Sequence, residues 1–557
     1  MKKIFAQTIG AIAVAALSTV SAFAQTTGFN QTAAGSYDYN DPANWVGGTI
    51  NGIWDSSLTL AGAQTSTFTA TPTTPTGLTF NYGGNFAVTL QSTNTTAQTF
   101  TLGGDIGLNT GGGTAANVTI GNAANPLTVD LGGDNRTITV AASRTLTIVN
   151  AISSSSGSYG ITNAGAGTLV LNGTNSTYSG GTTLNAGTLQ IGSGSALGTG
   201  AVAVNGGTFK WNYISGNGNF SNNVVVNGAT TIDVGAGNFN FYGNLSGSGT
   251  ITRGTAANLT WYLNGDDSGY AGTFTIPNNG NAVVRFTSTN SGSAGASWVF
   301  NNATAGRDTL EFNGAGTISF GSLTGSGVLQ SGNNNGAKTI SAGALGLTDA
   351  FSGIIANGSS TVALTKVGSG TMTLSGANTY TGDTTVSAGT LAIGGAGKLG
   401  GGNYAGALIN NGSFNYGSSA AQTLSGPISG NGNLTMSGSS TLALSGACSF
   451  TGNLTVSAGT LTLASPQSFS PNTVGVSDGA TLSEAFSPSV QMSATSLTLG
   501  FTTGATNAFV ANSTSLARVT AGTLTLNGVN TLNIIGGNLA AGSSYPLIAY
   551  TTLAGAG

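Results

Sequence analysis

The sequence predicts an all-β protein, a right-handed parallel β-helix with coils of about 20 residues. Two observations lead there. One stretch of sequence is written three times, at residues 165–192, 368–394 and 438–464. Inside each copy a Thr-x-x-Leu/Ile type of strand recurs after 20, 19 and 19 residues, from Thr168 to Thr188, Thr371 to Thr390 and Thr441 to Thr460. A period of this size is too short for an independent domain and suits one coil of a stacked array.

Alternation sets the interior of a coil. Side chains of a strand point to opposite faces in turn. Leu169 and Leu171, Leu189 and Ile191, Met372 and Leu374, Leu391, Leu442 and Leu444, and Leu461 are expected inside, with Thr168 and Val170 outside. One coil cannot bury its apolar residues alone, whereas stacked coils share a continuous core. Asn172-Gly173, Ser375-Gly376 and Ser445-Gly446 supply the corners after the first strand, and Gly187, Gly389 and Gly459 precede the second. The chain holds 92 Gly in 557 residues without a Gly-x-y period, which excludes collagen, and only 10 Pro, as ladders require.

An aromatic stands two residues before a glycine in every copy: Tyr178 and Gly180, Tyr380 and Gly382, Phe450 and Gly452, with a degenerate version at Tyr270 and Gly272. These aromatics are expected to anchor corners over the core. The rival reading is an exposed ladder for sugars.

The unit GxGTLxLxGxNxYxGxTTVxAGTLxIG resembles the autotransporter-associated β-strand repeat, also called the passenger-associated transport repeat. Its preceding half, of the form SGxISGxG, is visible at residues 242–249, 320–327 and 424–432. The resemblance implies a secreted or cell-surface passenger with the β-helical fold and no single biochemical activity. On this reading residues 161–465 form the recognisable repeats, 25–60 an N-terminal cap or first coils, 61–160 early coils and 466–557 degenerate C-terminal coils.

Lys2 and Lys3, the short apolar run from Ile9 to Leu17 and Ala22-Phe23-Ala24 read as a signal peptide over residues 1–24. The apolar run falls short of the roughly 20 residues that span a bilayer. Export to the surface or exterior of a Gram-negative-type bacterium is expected. The sequence reaches Gly557 without barrel strands, so a truncated chain, or a separate secretion translocator, is expected.

Charged residues make up 5% of the chain, and losing Lys2 and Lys3 takes the formal charge from −3 to −5. Nucleic acid needs clustered cations, and the basic residues here are scattered. His is absent, which removes Ser-His-Asp and Cys-His catalysis, and Cys448 is the only cysteine, so no intrachain disulfide forms. No catalytic, cofactor or metal residue is assigned. Trp45, Trp54, Asp266 and Asp267 are the weak ligand-contact candidates, with Arg253 and Arg285 about one coil from the aspartates. Two functions remain open. One is a structural or adhesive module that meets cell-surface glycan, matrix or another cell. The alternative is a polysaccharide-active lyase or glycoside hydrolase, which would need paired acidic groups across a cleft.

Overall fold

The computed structural model describes the strands Gly35–Asp38, Ile53–Trp54 and Gln64–Phe68, and residues 78–555 apart from 81–86, 93–96, 110–116, 125, 214–217, 255–258, 278–282, 302–308, 313–315, 333–335, 488, 512 and 536–538. The signal-peptide segment and Trp45 lie outside the described residues, and Trp54 is described only as part of a strand. The chain divides into two compact units, Met1–Leu259 and Thr260–Gly557.

Both units are parallel β-solenoids with coils of about 23 residues. In the first, one ladder runs through Val118–Ile120, Thr145–Ile148, Thr168–Leu171, Thr188–Ile191 and Thr208–Asn212. A second runs through Arg136–Val140, Ile161–Ala164, Thr182–Leu184, Val202–Val204 and Val224–Val226. A third face carries Gln98–Thr101, Leu127–Asp130 and Ile152–Ser153. In the second unit the three faces are seen most fully in the coils that follow Tyr404. Leu408–Asn410 and Ile428–Ser429 share one face. Ser413–Tyr416, Asn433–Met436, Leu454–Val456 and Thr473–Val476 share the next. Gln422–Leu424, Thr441–Leu444, Thr460–Leu463 and Thr481–Glu484 share the third.

The 19–20-residue step holds within the three copies, where Thr168 pairs with Thr188, Thr371 with Thr390 and Thr441 with Thr460, and in coils beside them, where Leu408 pairs with Ile428 and Ser413 with Asn433. In other coils longer corners stretch the step, to 30 positions between the paired residues Val88 and Val118 and 32 between Ile106 and Ile138.

The core follows the alternation. Leu169, Leu189, Met372, Leu374, Leu391, Leu442, Leu444 and Leu461 are fully buried, as is Leu171 to within 1%. At roughly 25 cal/mol per Å² of apolar surface removed from water, such stacked aliphatics are the main stabilising term. Val170, expected outward, is nonetheless only 7% exposed, flanked in register by Thr147 and Gln190 of the neighbouring coils. An outward side chain inside a ladder is covered by its own rungs.

The two later copies do not occupy the same faces. Asn433 is three rungs above Thr371, through Thr390 and Ser413. Thr441 then opens the next face, in the ladder of Gln422–Leu424. The 70-residue offset between the copies is therefore three coils and one further face. The middle strand of the last copy, Leu454–Val456, accordingly sits on the ladder that carries the outer strands of the copy before it.

Candidate functional site

The aromatic corners are interior. Tyr178, Tyr270 and Tyr380 are fully buried and Phe450 is 1% exposed. A buried hydroxyl requires a partner. Tyr178 Oη lies 2.6 Å from Thr182 Oγ1, and Tyr380 Oη 2.7 Å from Thr384 Oγ1, which also meets Tyr404 Oη at 2.7 Å. Burial holds these phenols above their ordinary pKa. In the third copy both members change together: Phe450 replaces the tyrosine and Leu454, also fully buried, replaces the threonine. The exchange four residues apart is visible in the sequence, and its meaning needed the hydrogen bond.

Two residues before each aromatic stand Ser176, Asn378 and Cys448. Ser176 Oγ accepts from Ile152 N at 3.0 Å, and Asn378 Oδ1 from Ile355 N at 3.0 Å. At Cys448 that task passes to the main chain, where Ile428 N donates to Ala447 O at 2.8 Å. Burial pushes the Cys448 thiol up to about 11, so it remains protonated and unreactive at neutral pH. The glycines that follow the aromatics touch the preceding coil: a Cβ would lie 2.4 Å from Tyr159 C at Gly180, 2.5 Å from Val362 O at Gly382 and 2.1 Å from Gly432 O at Gly452.

The aspartate candidates sit in a turn of the second unit. Asp266 Oδ1 accepts from Ser268 Oγ at 2.6 Å and Ser268 N at 3.0 Å, and these bonds hold its carboxyl below the usual range. Asp267 is fully buried; its N donates to Asn290 O at 2.7 Å, and its own O accepts from Tyr270 N. Arg285 donates to Tyr262 Oη at 2.8 Å and lies over that ring at 5.4 Å. Arg253, in the first unit, is 1% exposed and donates to Gly254 O and Leu259 O.

That use of a cation recurs and was not read from the sequence. Arg136, Arg144, Arg253, Lys338, Lys366 and Arg518 are all buried, half of the 12 basic residues. Arg136 donates to Leu102 O and Leu131 O, both at 2.7 Å. Lys366 Nζ donates to Val367 O, Gly368 O and Ala388 O. Corners leave carbonyls without ladder partners, and Arg136, Arg253, Lys366 and Arg518 reach such carbonyls.

Another carboxylate staples two coils from outside. Asp478 accepts from Phe501 N, Thr502 N, Thr502 Oγ1 and Gly504 N, which holds its carboxyl far below the usual range. Protonation weakens these acceptors, so the staple holds above the ordinary carboxylate range and loosens only in strong acid. Asp478→Asn is expected to speed amide exchange at Thr502 and Gly504 while leaving the ladder amides of Thr460–Leu463 unchanged, as hydrogen-exchange mass spectrometry would report.

A groove of about 470 Å³ opens on the coils after the last copy, lined by Thr451, Ser470, Pro471, Asn472, Ser493, Ala494, Thr495 and Gly522. Asn472 Nδ2 donates to Asn453 Oδ1 at 2.9 Å, and Thr495 Oγ1 to Asn472 O at 2.5 Å. The lining carries hydroxyls and an amide but no charge. Among the described residues no group of three or more Cys, Asp or Glu is placed to hold a metal.

Residues 161–191, 364–393 and 434–463 match the passenger-associated-transport-repeat family. The chain carries three passenger-associated transport repeats. Each matched repeat begins one strand earlier than the copies at residues 165–192, 368–394 and 438–464. It spans two stacked rungs on two neighbouring faces: Ile161 pairs with Thr182 as Thr168 does with Thr188, Leu364 with Thr384 as Thr371 with Thr390, and Leu434 with Leu454 as Thr441 with Thr460. The repeat thus encodes one coil-to-coil stack, whichever faces receive it. Over 376 residues the chain is 31% identical to the adhesin BmaC autotransporter of Brucella suis biovar 1 (strain 1330), a stretch covering 64% of this chain and 10% of the relative's length. No solved structure matches.

Proposed function

We propose that this passenger-repeat protein is an adhesive module displayed at the surface of a Gram-negative-type bacterium, exported by its N-terminal signal segment, and that it binds rather than catalyses. Its contact is with an uncharged, hydroxyl-rich partner such as a neutral glycan of another cell or matrix. The observation that carries this reading is the disposition of polarity: six of the basic residues are buried, and the described groove offers only Ser, Thr and Asn as polar side chains. The named adhesin relative supports it. Trp45 and Trp54 remain proposed contacts, since aromatic faces stack on sugar rings.

A glycan array with residues 25–557 tests the proposal. Binding to neutral glycans is expected, with little change between 50 and 500 mM salt because screening acts on charges. Asn472→Ala combined with Thr495→Ala is expected to weaken binding about tenfold, the loss of roughly 1.4 kcal/mol. Trp45→Ala is the parallel arm. Retention only of acidic glycans, abolished by salt, contradicts the reading. Shortened or unsaturated oligosaccharide products would establish the lyase or hydrolase alternative instead.

A further inference from the structure

Among the described residues of the second unit, Glu484 holds an interior position that its aliphatic stack does not explain. Glu484 stands in register between Leu463 and Phe509, and Asn507 in register with Leu482 one coil on. Both side chains are fully buried. Arg518, at the corner before the strand Val519–Leu526, is 1% exposed. It donates through Nη1 to Ser487 O at 3.0 Å and lies over the Phe486 ring at 5.4 Å. Six buried atoms here have no hydrogen-bond partner: Glu484 Oε1 and Oε2, Asn507 Nδ2 and Oδ1, and Arg518 Nε and Nη2.

Arg136, Arg253 and Lys366 end on main-chain carbonyls. Here carboxyl, amide and guanidinium atoms are left over together. A buried polar atom without a partner costs about 1–3 kcal/mol, more when charged. A sequence that needed only stacking would place leucine at residue 484, as it does at Leu463 and Leu444.

We propose that Glu484, Asn507 and Arg518 form a proton-sensitive clasp inside the solenoid, which holds adjoining coils closed in acid and lets them open as pH rises. The groups that face Glu484 are Arg518 from the corner, Asn507 from the next rung, and apolar Leu463 and Phe509 from the rungs below and above. Arg518 is the one cation among them. Burial raises the Glu484 carboxyl well above its ordinary pKa, and the Arg518 charge and the neighbouring Asn507 amide offset only part of that. The sign follows. A carboxyl whose folded pKa is raised contributes stability that is fully present below its unfolded value near 4.3. That contribution is lost as pH climbs toward the folded value. In acid the neutral carboxyl sits in the apolar stack. At higher pH it must ionise there or reach water, and reaching water opens the strands Thr481–Glu484 and Thr506–Phe509. This inference is independent of the adhesive reading.

Hydrogen exchange of the full chain at pH 5 and pH 8, corrected for intrinsic rates, tests it. The repeat strand Thr441–Leu444 serves as internal reference. The ratio of protection in Thr481–Glu484 and Thr506–Phe509 to that in the reference is expected to fall about tenfold or more from pH 5 to pH 8, one unit of linkage. In Glu484→Gln the ratio is expected to be flat. An unchanged ratio in the native sequence overturns the clasp. So does an equal fall in Glu484→Gln, which would place the titration elsewhere. If Glu484→Gln does not fold, Glu484→Leu, matching Leu463 in the stack, takes its place with the same expected flat profile.

Discussion

Gly389→Val is expected to destabilise the second unit by about 2–5 kcal/mol, the sum of left-handed backbone strain and overpacking. Gly389 has φ +64°, and its counterparts Gly187 and Gly459 have +66° and +65°. A Cβ at Gly389 would lie 2.4 Å from Gly370 O and 2.5 Å from Gly368 O, main-chain atoms of the coil beneath that cannot swing aside. The same approach recurs at Gly187, where Gly167 O is 2.4 Å away, and at Gly459, where Gly438 O is 2.3 Å away. Ala392→Val, on the outward side of the strand Thr390–Ile393, serves as control and is expected to change stability by no more than about 0.5 kcal/mol. Urea unfolding of both variants decides the matter. Equal midpoints would mean that the corner tolerates a side chain and that the conserved geometry of the three glycines is incidental.

The second expected result concerns the pair at positions 450 and 454. Phe450→Tyr places a hydroxyl beside Leu454 in a fully buried corner and is expected to cost about 1–3 kcal/mol, the desolvation of an unmatched polar group. Adding Leu454→Thr recreates the bond that joins Tyr380 to Thr384 at 2.7 Å and Tyr178 to Thr182 at 2.6 Å. The double variant is expected to be more stable than the sum of the two single costs by about 0.5–3 kcal/mol, the range for contacting residues. Thermal unfolding of the four proteins of this cycle measures the coupling. A coupling of zero would show that the hydroxyl pair is ornamental in the first two copies as well.

The fold was legible because two short periods are nested in the sequence. Alternation in Thr371–Leu374 fixes which side chains face inward, and the steps from Thr168 to Thr188 and from Thr371 to Thr390 fix which strands stack. Both signals are local, and parallel stacking converts them directly into contacts. Coil length outside the repeats was less legible, since corners such as the one between Val88 and Val118 absorb extra residues without disturbing the ladder.

Three further things were not legible. The azimuth of each repeat depends on the summed length of every intervening corner, so two nearly identical segments, around Thr371 and Thr441, lie on different faces. The fate of the cations was hidden because a scattered lysine reads as solvated, whereas Lys366 is drawn inward by carbonyls that the corners leave open. Glu484 read as one of two glutamates in a charge-poor chain, and only the register with Leu463 and Phe509 shows that it replaces an aliphatic residue. Of the weak ligand candidates, Asp266 and Asp267 take turn geometry that short-range sequence does suggest, an aspartate accepting from a serine two residues on.

The displacement of one face per 70 residues has a consequence for how such chains can change. A tandem duplication of that segment turns everything after it by a third of a revolution, so a loop that once looked toward a neighbouring cell would look sideways. Three successive duplications restore the original heading. Copy number thereby acts as a compass setting as well as a length, and variants of one gene that differ by single units would present different sides of an otherwise unaltered molecule.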